Sequence, residues 1–215
     1  VHARSQGIPP AHMDDPTAAL FPDRFGEDGL PEEWNFQKVK ELCSIKGGKQ
    51  LTKDRFADDG VFPVFGGAGQ MGMTNEWNAD GFVITVGRVG AYCGNFVAHR
   101  GKSWVNNNAS LIAPFASSPP EFLFLALQAL DLSSIKKGAA QPFISNGDLK
   151  ELETVVPIAE ILMAFNAQAK LFRLRFEALQ SENQTLATLR DTLLPRLMSG
   201  ELRVGEAREQ VEEVV

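Results

Sequence analysis

The sequence predicts an α+β protein, a mixed-sheet domain followed by a long coiled-coil α-helix. Three observations carry that expectation. Short β-branched or aromatic runs recur between glycines and asparagines through the middle of the chain. An apolar stretch at 121–132 has the length and spacing of a buried helix. From residue 159 to 194 there is no glycine or proline, and apolar side chains return every seven residues.

In chain order, residues 1–30 form a lead-in rich in Pro, Gly and Asp, including Pro9, Pro10, Pro16 and Pro22, with no helical or strand period. Residues 31–157 form the domain. Its strands are expected at VFPVF (61–65), FVITVG (82–87), NFVAH (95–99) and ASLIAPF (109–115), and its main helix at EFLFLALQALDL (121–132). Residues 136–158 then read as a basic turn, a Gly-Ala-Ala-Gln-Pro loop, a short helix capped near Ser145 or Asn146, and a last strand.

Residues 158–200 form the long helix. Phe165, Phe172, Leu179, Leu186 and Leu193 make one column, while Ala169, Phe176, Asn183, Arg190 and Leu197 make a second, offset by four. Alternating steps of three and four are a coiled-coil seam, and a lone Asn in such a seam fixes register and partner. Phe165, Phe172, Phe176, Leu179, Asn183, Leu186 and Leu193 are therefore the expected helix-pairing residues. Pro195 lacks an N–H and is expected to kink or stop the helix. Residues 201–215 read as an acidic C-terminal tail.

The chain has 215 residues, 44% hydrophobic and 22% charged, enough for a real core. Its two cysteines, Cys43 and Cys93, suit neither a disulfide framework nor a zinc cage, so reduced thiols in the cytoplasm are expected. No apolar run approaches the ~20 residues of a membrane span. A chain that opens on Val1 is expected to be a fragment or a processed product. The net charge of −6 is uneven: residues 1–35 carry two cations against seven acids (−5), 201–215 carry two against five (−3), and the middle is left at +2. A basic face on the central body is therefore permitted.

Gly67, Gly69 and Gly72 spell G-x-G-x-x-G within VFGGAGQMG. A dinucleotide site needs a helix directly after those glycines and an acidic residue ~20 positions on. Here the following stretch is turn-forming and then β, and Arg88-Val89-Gly90 stands where the acid belongs, so no cofactor site is expected. No metal-ligand spacing such as C-x-x-C or H-E-x-x-H occurs. Cys93 with His99 is the one pair to consider for thiol catalysis, and core residues are the simpler reading. Four cationic, glycine-bearing loops stand out instead. They supply Lys46, Lys49 and Gln50; Arg88; Arg100 and Lys102; and Lys136, Lys137 and Gln141. Lys and Arg suit phosphates, while Arg and Gln hydrogen-bond base edges. Scattered solubilising charge is the plainer alternative.

The order of these features resembles the specificity subunit of Type I restriction–modification enzymes. Leu30-Pro31-Glu32-Glu33-Trp34 is similar to the family's "LPxGW" opening of a target-recognition domain. Phe62-Pro63-Val64 with the glycine loop resembles "YPV…GxxG", and Val83–Gly90 resembles "ILIgRxG". Asn107-Asn108-Ala109 is similar to "tdNA", Gly138–Pro142 to "GxaQP", and Leu193–Leu202 to the ending "LLPkLlSGel". The likeness covers roughly residues 30–204. A family member normally carries two recognition domains and two long helices. One of each here implies the C-terminal half of a longer subunit, or a natural half-size version.

The resemblance implies a non-catalytic subunit that reads one half of a bipartite double-stranded DNA target. It also implies docking to a modification subunit, where S-adenosylmethionine and the methylation chemistry reside, and to a restriction subunit. The long helix would pair with a second one, from the other half of the subunit or from another copy. The rival reading is a coiled-coil adaptor whose globular head binds protein. A small-molecule enzyme using Cys93 and His99 is a further alternative.

Overall fold

The computed structural model describes residues 1–8 and 13–212. The chain divides into two compact units, Val1–Ala167 and Gln168–Val215. No described helix is long and apolar enough to cross a membrane.

The first unit is built on a four-stranded antiparallel sheet made of β2 (Cys43–Gly47), β8 (Ala109–Pro114), β5 (Phe82–Gly87) and β6 (Phe96–Arg100), in that order. Register places Ile45 opposite Ile112, Ile112 opposite Ile84, and Ile84 opposite Ala98. Side chains alternate across a strand, so this row lies on one face. There it meets α3 (Val39–Leu42), α4 (Pro120–Ala129), α5 (Asn146–Glu151) and Leu162 of the long helix. The other face carries Val83, Ala109 and Leu111, packed with Ala79 and Val105. FVITVG is nearly all apolar because its strand is covered on both sides.

A second sheet has β4 (Gly69–Thr74), β3 (Phe62–Gly66) and the two-residue β7 (Trp104–Val105), with β3 antiparallel to β4 and parallel to β7. A third pairs β1 (Asn35–Lys38) with β9 (Glu153–Val156), joining the start and the end of the domain. Glu151 holds them from the side. It accepts hydrogen bonds from Lys38 and Lys40 at 2.8 and 2.7 Å, which hold its carboxyl down at about 2.

The lead-in contains more structure than its composition suggests. α1 (His2–Ser5) and α2 (Asp15–Leu20) are short helices, and Asp14 caps α2 by accepting the Thr17 N–H at 2.8 Å. The Asp and Pro that read as linker punctuation are here start signals, with Pro16 in the first turn where a missing N–H costs nothing. Pro9 and Pro10 lie outside the described residues.

The long helix, α6, runs from Ala159 to Met198. Its first two turns belong to the first unit, and there Asn166 has a specific task. α4 begins after Pro119, whose side chain cannot cap it. The Asn166 Oδ1 accepts the backbone N–H groups of Glu121 and Phe122 at 3.0 and 3.4 Å, and so caps α4 from another helix.

In the second unit Pro195 does not stop the helix. Its missing N–H removes one bond, and only the last turn lies beyond it, so α6 continues to Met198. Gly200, in the left-handed region at φ 77°, ends it. Within the stretch read as an acidic tail, the described residues 201–212 are structured. Val204–Glu212 form α7, and Leu202, Ala207 and Val211 pack on Leu189, Leu193 and Leu197. Alternating Glu and Arg mask this helix in composition, because its apolar contacts are few and widely spaced.

Asn166→Ala is expected to destabilise the chain by about 1 kcal/mol, the usual value of a lost N-cap. Urea denaturation of the two proteins measures it, and Asn166→Asp, which keeps an acceptor, is expected to lose less.

Candidate nucleic-acid interface

The central sheet delivers its loops to one end. β2 finishes at Gly47 opposite Ser110, and β5 at Gly87 opposite Ala109, the first residues of β8. The Gly48 N–H donates to the Ala109 carbonyl at 3.0 Å, and the Arg88 N–H to the Asn108 carbonyl at 3.0 Å. The β3–β4 turn comes to the same place, where a Cβ on Gly67 would stand 3.5 Å from the Gly87 Cα and from the Asn108 carbonyl oxygen. These glycines are therefore packing points between loops. β4 follows the turn directly as a strand.

Two of the glycines are required by close approach. A Cβ on Gly48 would lie 2.1 Å from the Asn106 carbonyl oxygen, and one on Gly87 would lie 2.2 Å from the Tyr92 carbonyl oxygen. Both obstacles are backbone, so no side-chain movement relieves them. Around Gly48 the loop is fastened by the Lys49 N–H to the Val105 carbonyl (2.9 Å), by Trp104 Nε1–H to the Lys49 carbonyl (2.8 Å) and by the Leu51 N–H to the buried Asn106 Oδ1 (3.3 Å). With its backbone held, the loop turns Lys49 and Gln50 outward, where both are exposed.

Residues 136–144 pair with the loop after β5. The Gly90 N–H donates to the Pro142 carbonyl (2.8 Å) and the Ile144 N–H to the Arg88 carbonyl (2.9 Å), while Lys137 and Phe143 exchange both backbone bonds. Lys46, Lys49, Gln50, Arg88, Lys136, Lys137 and Gln141 thus share one end of the unit. The segments 46–50, 87–94, 106–108 and 136–143 contain five cations and no carboxylate. Among the described residues one of the five forms an ion pair: Lys137 donates to Asp148 at 2.7 Å, an interaction that lowers the Asp148 carboxyl from its usual range. Arg88 presents its guanidinium over Gly47, where a Cβ would meet Nη1 at 3.6 Å, and its Nε has no hydrogen-bond partner among the described residues.

Arg100 and Lys102 are placed elsewhere. Arg100 lies opposite Phe82, at the other end of β5 from Gly87, about 17 Å away at ~3.3 Å per residue. Its guanidinium pairs with Glu121, whose side chain is only 2% exposed, and stacks over Phe82. A buried carboxylate needs a cation, and the sequence gives no sign of it because Glu121 sits inside an apolar helix. Lys102 reaches over Trp77, 4.6 Å from the ring centroid, near the Phe62 end of β3.

The thiol pair separates as well. Cys93 precedes β6 near Gly87, while His99 lies towards the far end of that strand, opposite Val83 and against Phe65. Burial raises both thiols, Cys43 to about 12, so each stays protonated and unsuited to attack. Among the described residues no His, Cys, Asp or Glu cluster is arranged to hold a metal.

The seam of α6 divides into three parts. Phe165 packs edge-on against Phe122 within the first unit, at 6.2 Å between ring centroids. Leu193 is buried under α7 in the second unit, so its pairing surface is already used by the chain itself. Between them Phe172, Phe176, Leu179 and Leu186 are exposed, Phe172 by 75%, and Asn183 is exposed among them.

A loop-presenting α+β module followed in sequence by a helix with an exposed apolar column defines the class. Residues 31–175 match the profile of the Type I restriction modification DNA specificity domain, and the chain belongs to that family. It is similar to the Type I restriction enzyme EcoprrI specificity subunit of Escherichia coli, 28% identical over 140 residues, 63% of this chain and 34% of that protein. Its fold is similar to that of a Type I restriction–modification S subunit from M. genitalium, with a TM-score of 0.67 at 22% identity, over 78% of this chain and 46% of the other. It also resembles the HsdS subunit of Thermoanaerobacter tengcongensis, with a TM-score of 0.52 at 19% identity, over 86% and 49% of the two chains. The chain spans less than half the length of each of these relatives.

Arg100→Ala is expected to cost at least about 2 kcal/mol of stability, because it leaves the Glu121 carboxylate buried without its cation. Denaturation reads that loss. Arg100→Ala in an Glu121→Gln background is expected to cost much less.

Proposed function

We propose that this chain reads one half of a bipartite DNA target for a Type I restriction–modification system, without catalysing a step itself. Family membership supports the class of function. The observation that carries the reading to particular residues is the clustering of Lys46, Lys49, Arg88, Lys136 and Lys137 at one end of the sheet, on a strand end and loops that carry no carboxylate. Cations on a fixed backbone neutralise phosphates and displace condensed counterions, which supplies sequence-independent affinity. Arg88 and Gln141, with planar donor groups, are the base readers in this scheme. Arg100 is assigned to structure, and Lys102 to the opposite end of the unit.

Methylation and cleavage belong to the partner subunits in this reading, with S-adenosylmethionine held by the modification subunit and no cofactor held by this chain. Phe172, Phe176, Leu179, Asn183 and Leu186 pair with a second long helix, from another part of a longer subunit or from a second copy. Such a pair fixes the separation of two readers along the duplex. The protein acts in the cytoplasm, where the DNA and the partner subunits are.

Selection from a random duplex pool, with and without the modification subunit, identifies the bound sequence. Against that duplex, Lys49→Ala is expected to weaken all sequences alike and reduce the slope of log affinity against log salt by about one. Arg88→Ala is expected to relax one target position, losing about 1–3 kcal/mol of discrimination. A head that selects no duplex and binds partner proteins independently of salt would favour the adaptor reading.

A further inference from the structure

The basic end of the first unit also exposes carbon. Val89 and Phe143 form an antiparallel bridge between the loop after β5 and the loop after α4. Directly opposed residues in such a bridge carry their Cβ atoms about 5 Å apart on the same side. Each side chain is left 42% exposed, and neighbouring Tyr92 is 57% exposed. The Phe143 ring lies along Gly138, where a Cβ would meet its Cδ1 at 3.6 Å. Lys136 and Lys137 precede this ridge in one loop and Arg88 precedes it in the other. The Gly90 and Ile144 N–H groups bond across it to the Pro142 and Arg88 carbonyls, and the Phe143 N–H bonds to the Lys137 carbonyl within its own loop.

An apolar ridge enclosed by cations is a poor match for an apolar protein groove, which would leave those charges desolvated and unpaired. It suits a ligand that is anionic at its rims and offers apolar surface between them. The major groove of a duplex is such a ligand. Thymine alone among the four bases presents a methyl group there, beside polar edges lined by phosphates.

We infer that the Val89–Phe143 ridge is a specificity contact that packs on the C5-methyl of thymine, while the cations around it hold the flanking phosphates. This rests on the DNA-reading function proposed above. It adds a reader that owes nothing to hydrogen bonding, so its contribution is independent of salt. Burying one methyl group corresponds to about fourfold in affinity.

The test uses the full chain, alone and with the modification subunit, on the duplex selected from a random pool. Each thymine is replaced in turn by uracil, which removes only the methyl. The wild type is expected to lose about fourfold at one or two positions. Phe143→Ala is expected to lose as much on the thymine duplex and nothing further on the uracil duplex, with the salt slope unchanged. Val89→Thr, nearly isosteric, tests the same contact if Phe143→Ala does not fold. A wild type that ignores every uracil substitution overturns the inference and leaves DNA reading intact. So does a folded ridge variant that keeps wild-type sensitivity to uracil, or one that loses only binding to the modification subunit. Selection of no duplex at all overturns the DNA-reading function itself, and the inference with it.

Discussion

The central sheet is apolar on both faces, and the rest of the first unit follows from that constraint. The row Ile45–Ile112–Ile84–Ala98 must be covered on one side, and Val83, Leu111 and Ala109 on the other. With both faces largely taken, cations such as Lys46, Lys49, Arg88 and Arg100 stand at or beyond strand ends. The same packing fixes where the strands end, so the loops leave the sheet as a group. Gly48 and Gly87 allow that group to close up, since any side chain at either position would strike backbone. The cationic end of the unit is thus a product of core packing, with the glycines as its points of close approach.

Two populations of cation coexist on this scaffold, and a carboxylate partner separates them. Arg100 answers a buried carboxylate, while Lys38 and Lys40 answer Glu151 between the first and last strands. Lys46, near the end of β2, and Lys49, Arg88 and Lys136, on loops, form no ion pair with a carboxylate among the described residues. Leaving charges unpaired gains nothing for folding, which makes such positions candidates for an external anion. The long helix shows the same logic in apolar form. Where Phe165 and Leu193 meet the chain's own residues they are structural, and the column between them is exposed.

Much of this was legible in sequence, for identifiable reasons. FVITVG was recognisable because a doubly covered strand must be a continuous apolar run, and α6 because its apolar column returns every seven residues from Phe165 to Leu193. The cationic loops were visible as combinations of Lys or Arg with Gly. What escaped was set by tertiary contact. β4 reads GQMGMT and carries no strand signature of its own, depending on β3 for its ladder. α7 hides its few apolar residues among alternating charges. Arg100 and Lys102 looked like the other loop cations, and only the position of Glu121 and the direction of β5 separate them. Asn166 looked like an ordinary polar helix residue, although it caps a helix 45 positions earlier. Val89 and Phe143, far apart in sequence, become a pair only through the bridge between their loops.

The central claim is that duplex DNA is met by one end of the first unit and not the other. Hydrogen–deuterium exchange of the full chain, with and without the selected duplex, tests it most directly. The account predicts slowed exchange in residues 46–50, 87–92, 106–108 and 136–143, with 100–103 unchanged. Protection confined to 100–103 and the neighbouring 75–81, or no protection anywhere in the first unit, would contradict it.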